Sequence, residues 1–325
     1  MCNEKSDYFQ SGPLGVWRNS TAAGALRVLT GDDFIQLQLA DYYESIATNY
    51  GRDFKNIRFI SQYMPLFHDG PQHKRIRKMA AVHLRDAADD LKVFEQDAIT
   101  LINATLRQEG PHELISELII PIMHMISHAI TKLDFYPGLI AILSGNNSLK
   151  ATTKIDETFG KIYALSKERF PDETEEQRGI RIVFAALGSE PLGSTIARSF
   201  DTMFAGLENE KIAGLNWATD YPATGPGMAY RQCKHAPVNL GEAASAVKVF
   251  DVDLNPFLTD EGANCNHIFG VGAHACVGRG IALSLWARVR EAMQDNPYKI
   301  THISSSRTTH KIFDYPSSIQ IEVSK

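Results

Sequence analysis

The stretch FGVGAHACVGRGIA, from Phe269 to Ala282, places Cys276, one of only four cysteines, among Gly270, Gly272 and Gly278. Glycines let a backbone pass close to a large flat group and take up positive φ. Beyond Gly278, the residues Ile281, Ala282, Leu285, Trp286 and Val289 share one helix face. A helix that begins just past the cysteine aims backbone N–H groups and a positive dipole end at the sulfur, which favours the thiolate. A thiolate so held can act as an axial ligand to haem iron. The competing reading is a buried structural cysteine with incidental glycines.

Three other groupings carry chemistry-bearing residues. In HDGPQHKRIRKM, from His68 to Met79, His73 and Arg77 stand four apart and share a helix face, where they could hold anionic groups. The alternative there is a solvated basic turn with Lys74, Arg75 and Lys78. In RIVFAALGSEPLGSTIARSF, from Arg181 to Phe200, Pro191 interrupts a helical pattern, freeing the Leu187 carbonyl and bending the axis. Glu190 beside it is an acid/base candidate if burial raises its pKa, and otherwise a surface glutamate. His124 and His128 have metal-ligand spacing but no third ligand, in apolar surroundings, so they read as core or core-edge histidines. The Gly-x-Gly spacing in GVGAHACVG lacks the flanks of a dinucleotide fold.

Helical periodicity supplies the frame for these groups. Phe34, Leu37, Tyr42 and Ile46 predict a helix starting near Asp32 or Asp33 and ending near Gly51. Further helices are predicted over 81–106, 114–133 (buried on most sides), 155–170 and 175–207. From Trp217 to Leu258, prolines and glycines break any long element. Weak alternation around 300–303 and 318–323 predicts a terminal strand pair. With no repeat or linker, the chain reads as a single domain over residues 1–325, mainly α with small β elements.

Composition narrows the function classes. The chain has 325 residues, 44% hydrophobic and 22% charged, with a formal net charge of -5. That is an ordinary globular balance, and it argues against a nucleic-acid surface. Cys2, Cys233, Cys265 and Cys276 form no Cys-x-x-Cys pair, which suits a reducing compartment. No signal peptide opens the sequence, and Glu117, Pro121, His124 and His128 interrupt the most apolar stretch. The expectation is a soluble cytoplasmic protein with no membrane or nucleic-acid partner.

The offsets Phe269-x-x-Gly272-x-His274-x-Cys276-x-Gly278-x-x-x-Ala282 closely resemble the haem-binding signature of the cytochrome P-450 family. The resemblance implies haem b (iron protoporphyrin IX) as cofactor and Cys276 as its proximal thiolate. Phe269 would pack near the sulfur, His274 would reach a propionate, and Gly270, Gly278 and Ala282 would complete the loop. The segment around Asp69, Pro71, His73 and Arg77 is similar to the start of the family's helix C, with Gly70 replacing one proline, and implies that His73 and Arg77 meet the propionates. Arg231 could supply a further propionate contact from a strand, or be a surface arginine. The 181–200 segment resembles the long distal helix, with Gly188 and Glu190 on the family's glycine and acid. Its oxygen-handling threonine position is Pro191, and Thr195 lies one turn on. Glu190, Pro191 and Thr195 are therefore the distal catalytic candidates.

The chain also departs from the family. No Glu-x-x-Arg stands between the distal helix and the cysteine loop; GLNWATDYPATGP occupies that place, with Tyr221-Pro222 echoing the end of the missing helix. Glu175 and Arg178 have the spacing but the wrong order, a helix-surface coincidence. The N-terminal sheet and the F/G lid region, between Asp134 and Arg181, read as reduced. Pocket residues are expected around 64–67, 184–187 and 226–230. The resemblance implies a haem-thiolate oxidoreductase, a monooxygenase or oxidase, acting on a small organic molecule in specialised-metabolite biosynthesis. A carrier-bound substrate, burial by homo-oligomerisation, and a ferredoxin or flavodoxin electron donor accompany that reading. Pro191 favours an alternative that bypasses the standard oxygen cycle: hydrogen peroxide-driven oxidation, dehydration or rearrangement. A haem-free partner protein is the third reading.

Overall fold

A computed structural model of the chain describes residues 8–11, 16–32, 34–36, 39–144, 148–218, 220–224, 228–233, 249–309 and 314–325. Its elements run β1 (Tyr8–Ser11), β2 (Val16–Asn19), α1 (Ala22–Thr30), β3 (Phe34–Ile35), α2 (Leu39–Tyr50), α3 (Lys55–Ser61), α4 (Gly70–Asp86), α5 (Ala88–Thr105) and β4 (Gly110–Glu113). They continue with α6 (Ile120–Thr131), α7 (Leu149–Arg169), α8 (Glu175–Leu187), α9 (Glu190–Phe204), β5 (Glu210–Lys211), β6 (Met228–Cys233), β7 (Val249–Asp253), α10 (Pro256–Thr259), α11 (Arg279–Gln294), β8 (Lys299–Thr309) and β9 (Asp314–Ser324). A mainly helical body carries two small sheets. One has the order β1-β2-β7-β6-β3, with β2 and β7 parallel; the other has the order β4-β9-β8-β5. No helix among the described residues is long and apolar enough to cross a membrane.

The predicted terminal strand pair is present and longer than its apolar alternation suggests. β8 and β9 form an antiparallel ladder that pairs Ile300 with Val323 and His302 with Ile321. Elsewhere local chemistry cuts the predicted helices. Phe34 and Ile35 pair with Cys233 and Gln232 as a strand, and the helix starts only at Leu39; Asp33 and Leu37 lie outside the described residues. The long 81–106 helix divides at Ala87, and the 114–133 element opens with a π-helical turn over Ile115–Ile119. Lys132, at φ 56°, ends α6. His124 and His128 on α6 are exposed, not core residues, because the buried stripe there is Ile122, Met123, Ile126 and Ile130.

The distal helix divides where Pro191 demands it. Gly188 N–H still bonds to the Phe184 carbonyl (2.8 Å), and the next ladder bond runs from Gly193 N–H to Ser189 (3.0 Å). Two residues, Gly188 and Ser189, separate α8 from α9. A proline cannot donate to the helix ladder, so the break falls within its preceding turn. Among the described residues from 134 to 174 there are one 3-10 turn, Leu139–Ser144, and one long helix, α7.

Arg178 is no surface coincidence. It is 2% exposed on α8 and donates to the carbonyls of Phe170 (3.3 Å) and Glu173 (3.0 Å), closing the turn that leads into the helix. Next to it, Gly179 lets α8 lie against Tyr63: a Cβ at this position would stand 2.1 Å from the Tyr63 ring. Gly179→Ala is therefore expected to destabilise the fold by about 1–3 kcal/mol through overpacking. Chemical denaturation checks this, and an unchanged midpoint would contradict the close packing of α8 on Tyr63.

Candidate active site

A cavity of about 350 Å³ runs between α8–α9, α4, α6 and the segment that leads into α11. Most of its wall is aliphatic or aromatic, including Leu66, Phe67, Leu84, Ile130, Val183 and Leu187. The cysteine loop forms one side. Gly270 (φ 75°) and Gly272 (φ 66°) take left-handed conformations, which fold the chain back so that Cys276 N–H bonds to the Phe269 carbonyl at 2.7 Å. At Gly270 a Cβ would also press to 3.3 Å from the His274 carbonyl oxygen.

Cys276 lines the cavity and is exposed towards it, while protein surrounds it on its other sides. Burial, the largest influence, pushes its thiol pKa up; the N–H groups of Gly278 and Arg279 and the charge of Arg77 pull the other way. Because α11 begins at Arg279, these N–H groups lie at its N-terminal end, and Arg279 N–H also bonds to the Cys276 carbonyl at 3.4 Å. A cation placed at the sulfur would complete what they begin and hold the thiolate.

Around the same wall four basic side chains converge: His73 and Arg77 from α4, Arg231 from β6, and His274 from the cysteine loop. The His73 and His274 rings lie 4.0 Å apart, centroid to centroid, tilted by 41°. Asp69 is the acid among them, 3.0 Å from His274 Nε2 through one oxygen and accepting the Gln36 N–H (2.9 Å) through the other. Arg231 Nη1 donates to Gln36 Oε1 at 3.1 Å. Burial, then the charges of His73 and Arg231, push His274 down to about 4 against the pull of Asp69. Burial and Arg77 lower His73 as well. Burial lowers Arg231 to about 10, which still leaves it a cation at neutral pH.

The buried atoms His73 Nε2 and His274 Nδ1 have no hydrogen-bond partner. Buried polar atoms on a cavity wall call for a ligand that satisfies them. Such a ligand would be anionic, because among the described residues around these rings Asp69 faces four basic groups. A large flat molecule with carboxylates at one edge and a soft metal ion at its centre fits the apolar walls, the basic edge and the sulfur together. The sequence brought these residues to attention separately, and the fold unites them. Gln36 was not foreseen: it follows a two-residue strand, and its bonds to Asp69 and Arg231 reveal it.

On the opposite side of the cavity the outcome is mixed. Pro191 and Thr195 line it, and the Thr195 hydroxyl donates back to the Pro191 carbonyl at 2.7 Å. Thr224, also on the wall, is a hydroxyl the sequence did not mark. Glu190 does not join them. As the first residue of α9 after the break, it turns its carboxylate away from the cavity to accept the N–H groups of Gly138 (2.8 Å) and Ile140 (3.4 Å). Burial raises its pKa, and these two bonds oppose the rise. The acid/base position expected of Glu190 is thus replaced by an anchor for the 138–140 turn, which carries the cavity residue Ile140. Of the expected pocket stretches, Pro65–Phe67, Phe184, Leu187 and Ala229 line the wall, Met64 does not, and 225–227 lie outside the described residues.

No family model matches the chain, and no curated protein sequence does either. Solved structures do match its fold. P450BioI, in complex with an acyl carrier protein ligated to hexadec-9Z-enoic acid, is 16% identical, covering 98% of this chain and 94% of that one with a TM-score of 0.74. CalO2 is 14% identical over 98% of this chain and 93% of that one, also at 0.74. PksS, a cytochrome P450 of the Bacillus subtilis 168 bacillaene polyketide synthase, is 12% identical over 99% and 95% at 0.70. The chain has the cytochrome P-450 fold over nearly its whole length.

The anchoring position of Glu190 has a measurable consequence. Glu190→Ala strands two N–H groups in the interior and is expected to cost about 2–4 kcal/mol, with faster amide exchange at Gly138 and Ile140. Glu190→Gln keeps an acceptor oxygen and should cost less. Equal stability of all three proteins would return Glu190 to the cavity side.

Proposed function

We propose that this chain, folded as a cytochrome P-450, is a haem-thiolate oxidoreductase acting on a small, largely apolar organic molecule. One observation carries the reading: Cys276 and the unpartnered His73 and His274 nitrogens occupy one wall of a single apolar cavity. Cys276 would hold the iron of haem b, Phe269, Gly270, Gly278 and Ala282 would shape the loop around the sulfur, and His73, Arg77, Arg231 and His274 would receive the two propionates. A thiolate-ligated haem supplies oxygen or peroxide activation.

The protein's own groups then divide the work. The Gly278 and Arg279 N–H groups favour negative charge on the sulfur, against the burial that raises its affinity for a proton. The aliphatic walls exclude water and retain an apolar substrate. The helix break at Gly188–Ser189 leaves the Leu187 carbonyl without a ladder donor, because Pro191 has no N–H. Because Thr195 donates to Pro191 and Glu190 is turned away, the distal side supplies little side-chain acid/base chemistry. That favours, as a second reading, peroxide-driven oxidation or a redox-neutral dehydration or rearrangement over a cycle fed by a ferredoxin or flavodoxin. A reduced lid region, as the sequence implies, would suit a substrate delivered on a carrier. The neighbour solved with its acyl carrier protein supports that mode, and biosynthetic neighbours support a role in specialised-metabolite formation.

Two experiments test the assignment. Haem should bind with one-to-one stoichiometry. Its dimethyl ester, which lacks the two carboxylates, should bind at least ten-fold more weakly, and this difference should shrink in His73→Ala/His274→Ala. Equal binding of acid and ester would reject the propionate site. Product formation from hydrogen peroxide alone, at a rate above that with reductase and O2, would support the second reading; strict dependence on reductase would overturn it.

A further inference from the structure

The helix that follows Cys276 is tied down along one stripe. Ala282, Trp286 and Arg290 are spaced by four on α11, and each bonds to a residue between β5 and β6. Tyr221 donates its hydroxyl to the Ala282 carbonyl (2.8 Å), Trp286 Nε1–H donates to Ala218 (3.2 Å), and Arg290 Nε–H donates to Trp217 (3.0 Å). The Tyr221 ring stacks on Trp286 at 4.7 Å and 28°, and meets Phe269 edge-on at 6.2 Å. Tyr221 therefore touches the cysteine loop at both ends, at Phe269 where it begins and at Ala282 in the helix it enters. Among the described residues from 205 to 224 no α-helix occurs, so this clamp is what holds the loop from that side.

We propose that Tyr221 is the positioning residue of the cysteine loop. By fixing α11 against Phe269 it sets where the Gly278 and Arg279 N–H groups stand relative to the Cys276 sulfur. The hydroxyl contributes the tether to the first turns of α11, and the ring contributes the distance between loop entry and exit. The clamp rests on the haem-thiolate reading only for its effect on the iron; the tether itself is a property of the polypeptide.

Hydrogen exchange on the apo-protein tests the tether directly. Tyr221→Phe keeps the stacking and removes one hydroxyl, so the hydrogen-bonded amides of the first turns of α11, 282–286, should exchange at least ten-fold faster, and Tyr221→Leu should extend the effect to the bonded loop amides of Gly270, Ala275 and Cys276. Phe159→Leu, a core substitution on α7, controls for general destabilisation and should leave these amides unchanged. Unaltered exchange in both Tyr221 variants, or an equal change in the α7 variant, overturns the proposal. In the haem-loaded protein, Tyr221→Phe should also shift the reduction potential, and an unmoved potential would refute the effect on the sulfur. If the wild-type chain takes up no haem, the functional reading fails, while the exchange result still decides the clamp.

Discussion

The site depends on a sulfur held at the start of a helix on the wall of an apolar cavity. Burial alone would keep Cys276 protonated and inert. The first N–H groups of α11 offer it the partial positive charge that helix ends carry, and they can do so only if the loop folds back between Phe269 and Gly278. That fold-back requires two left-handed residues, Gly270 and Gly272. It also requires an anchored α11, which the Trp217–Tyr221 segment provides from one side and the buried residues Leu285, Val289 and Met293 provide from the core. Much of the C-terminal architecture can be read as the support of one sulfur atom.

The second constraint is electrostatic. Four basic groups on one apolar wall are costly to bury, and Asp69 offsets only part of that cost. Burial favours the neutral forms of His73 and His274, while Arg231 stays a cation at neutral pH. A dianionic edge of a bound ligand would satisfy the stranded ring nitrogens and the arginines together. The sulfur and the basic edge thus select for one kind of molecule from two directions.

The parts of this arrangement visible in the sequence were those with local signatures. The cysteine loop, the His73–Arg77 face, the Pro191 break and the terminal strands each rest on residues close together in the chain. What escaped was set by contacts between distant segments. Phe34 and Ile35 had helical spacing, but pairing with β6 made them a strand. Arg178 had a surface pattern, but the turn at Phe170–Glu173 drew it inside. Glu190 had the spacing expected of a distal acid, but its carboxylate went to the 138–140 turn, because the helix break placed it within reach of the Gly138 and Ile140 N–H groups. Gln36 carried no local signal at all.

The most direct test of the central claim is the absorption spectrum of the haem-loaded, dithionite-reduced protein under carbon monoxide, compared with that of Cys276→Ala. The account predicts a strongly red-shifted Soret band in the wild-type protein and its loss in the variant, with haem still retained by the basic wall. A wild-type chain without that band, or a band indifferent to Cys276, would contradict thiolate ligation and with it the function proposed for this fold.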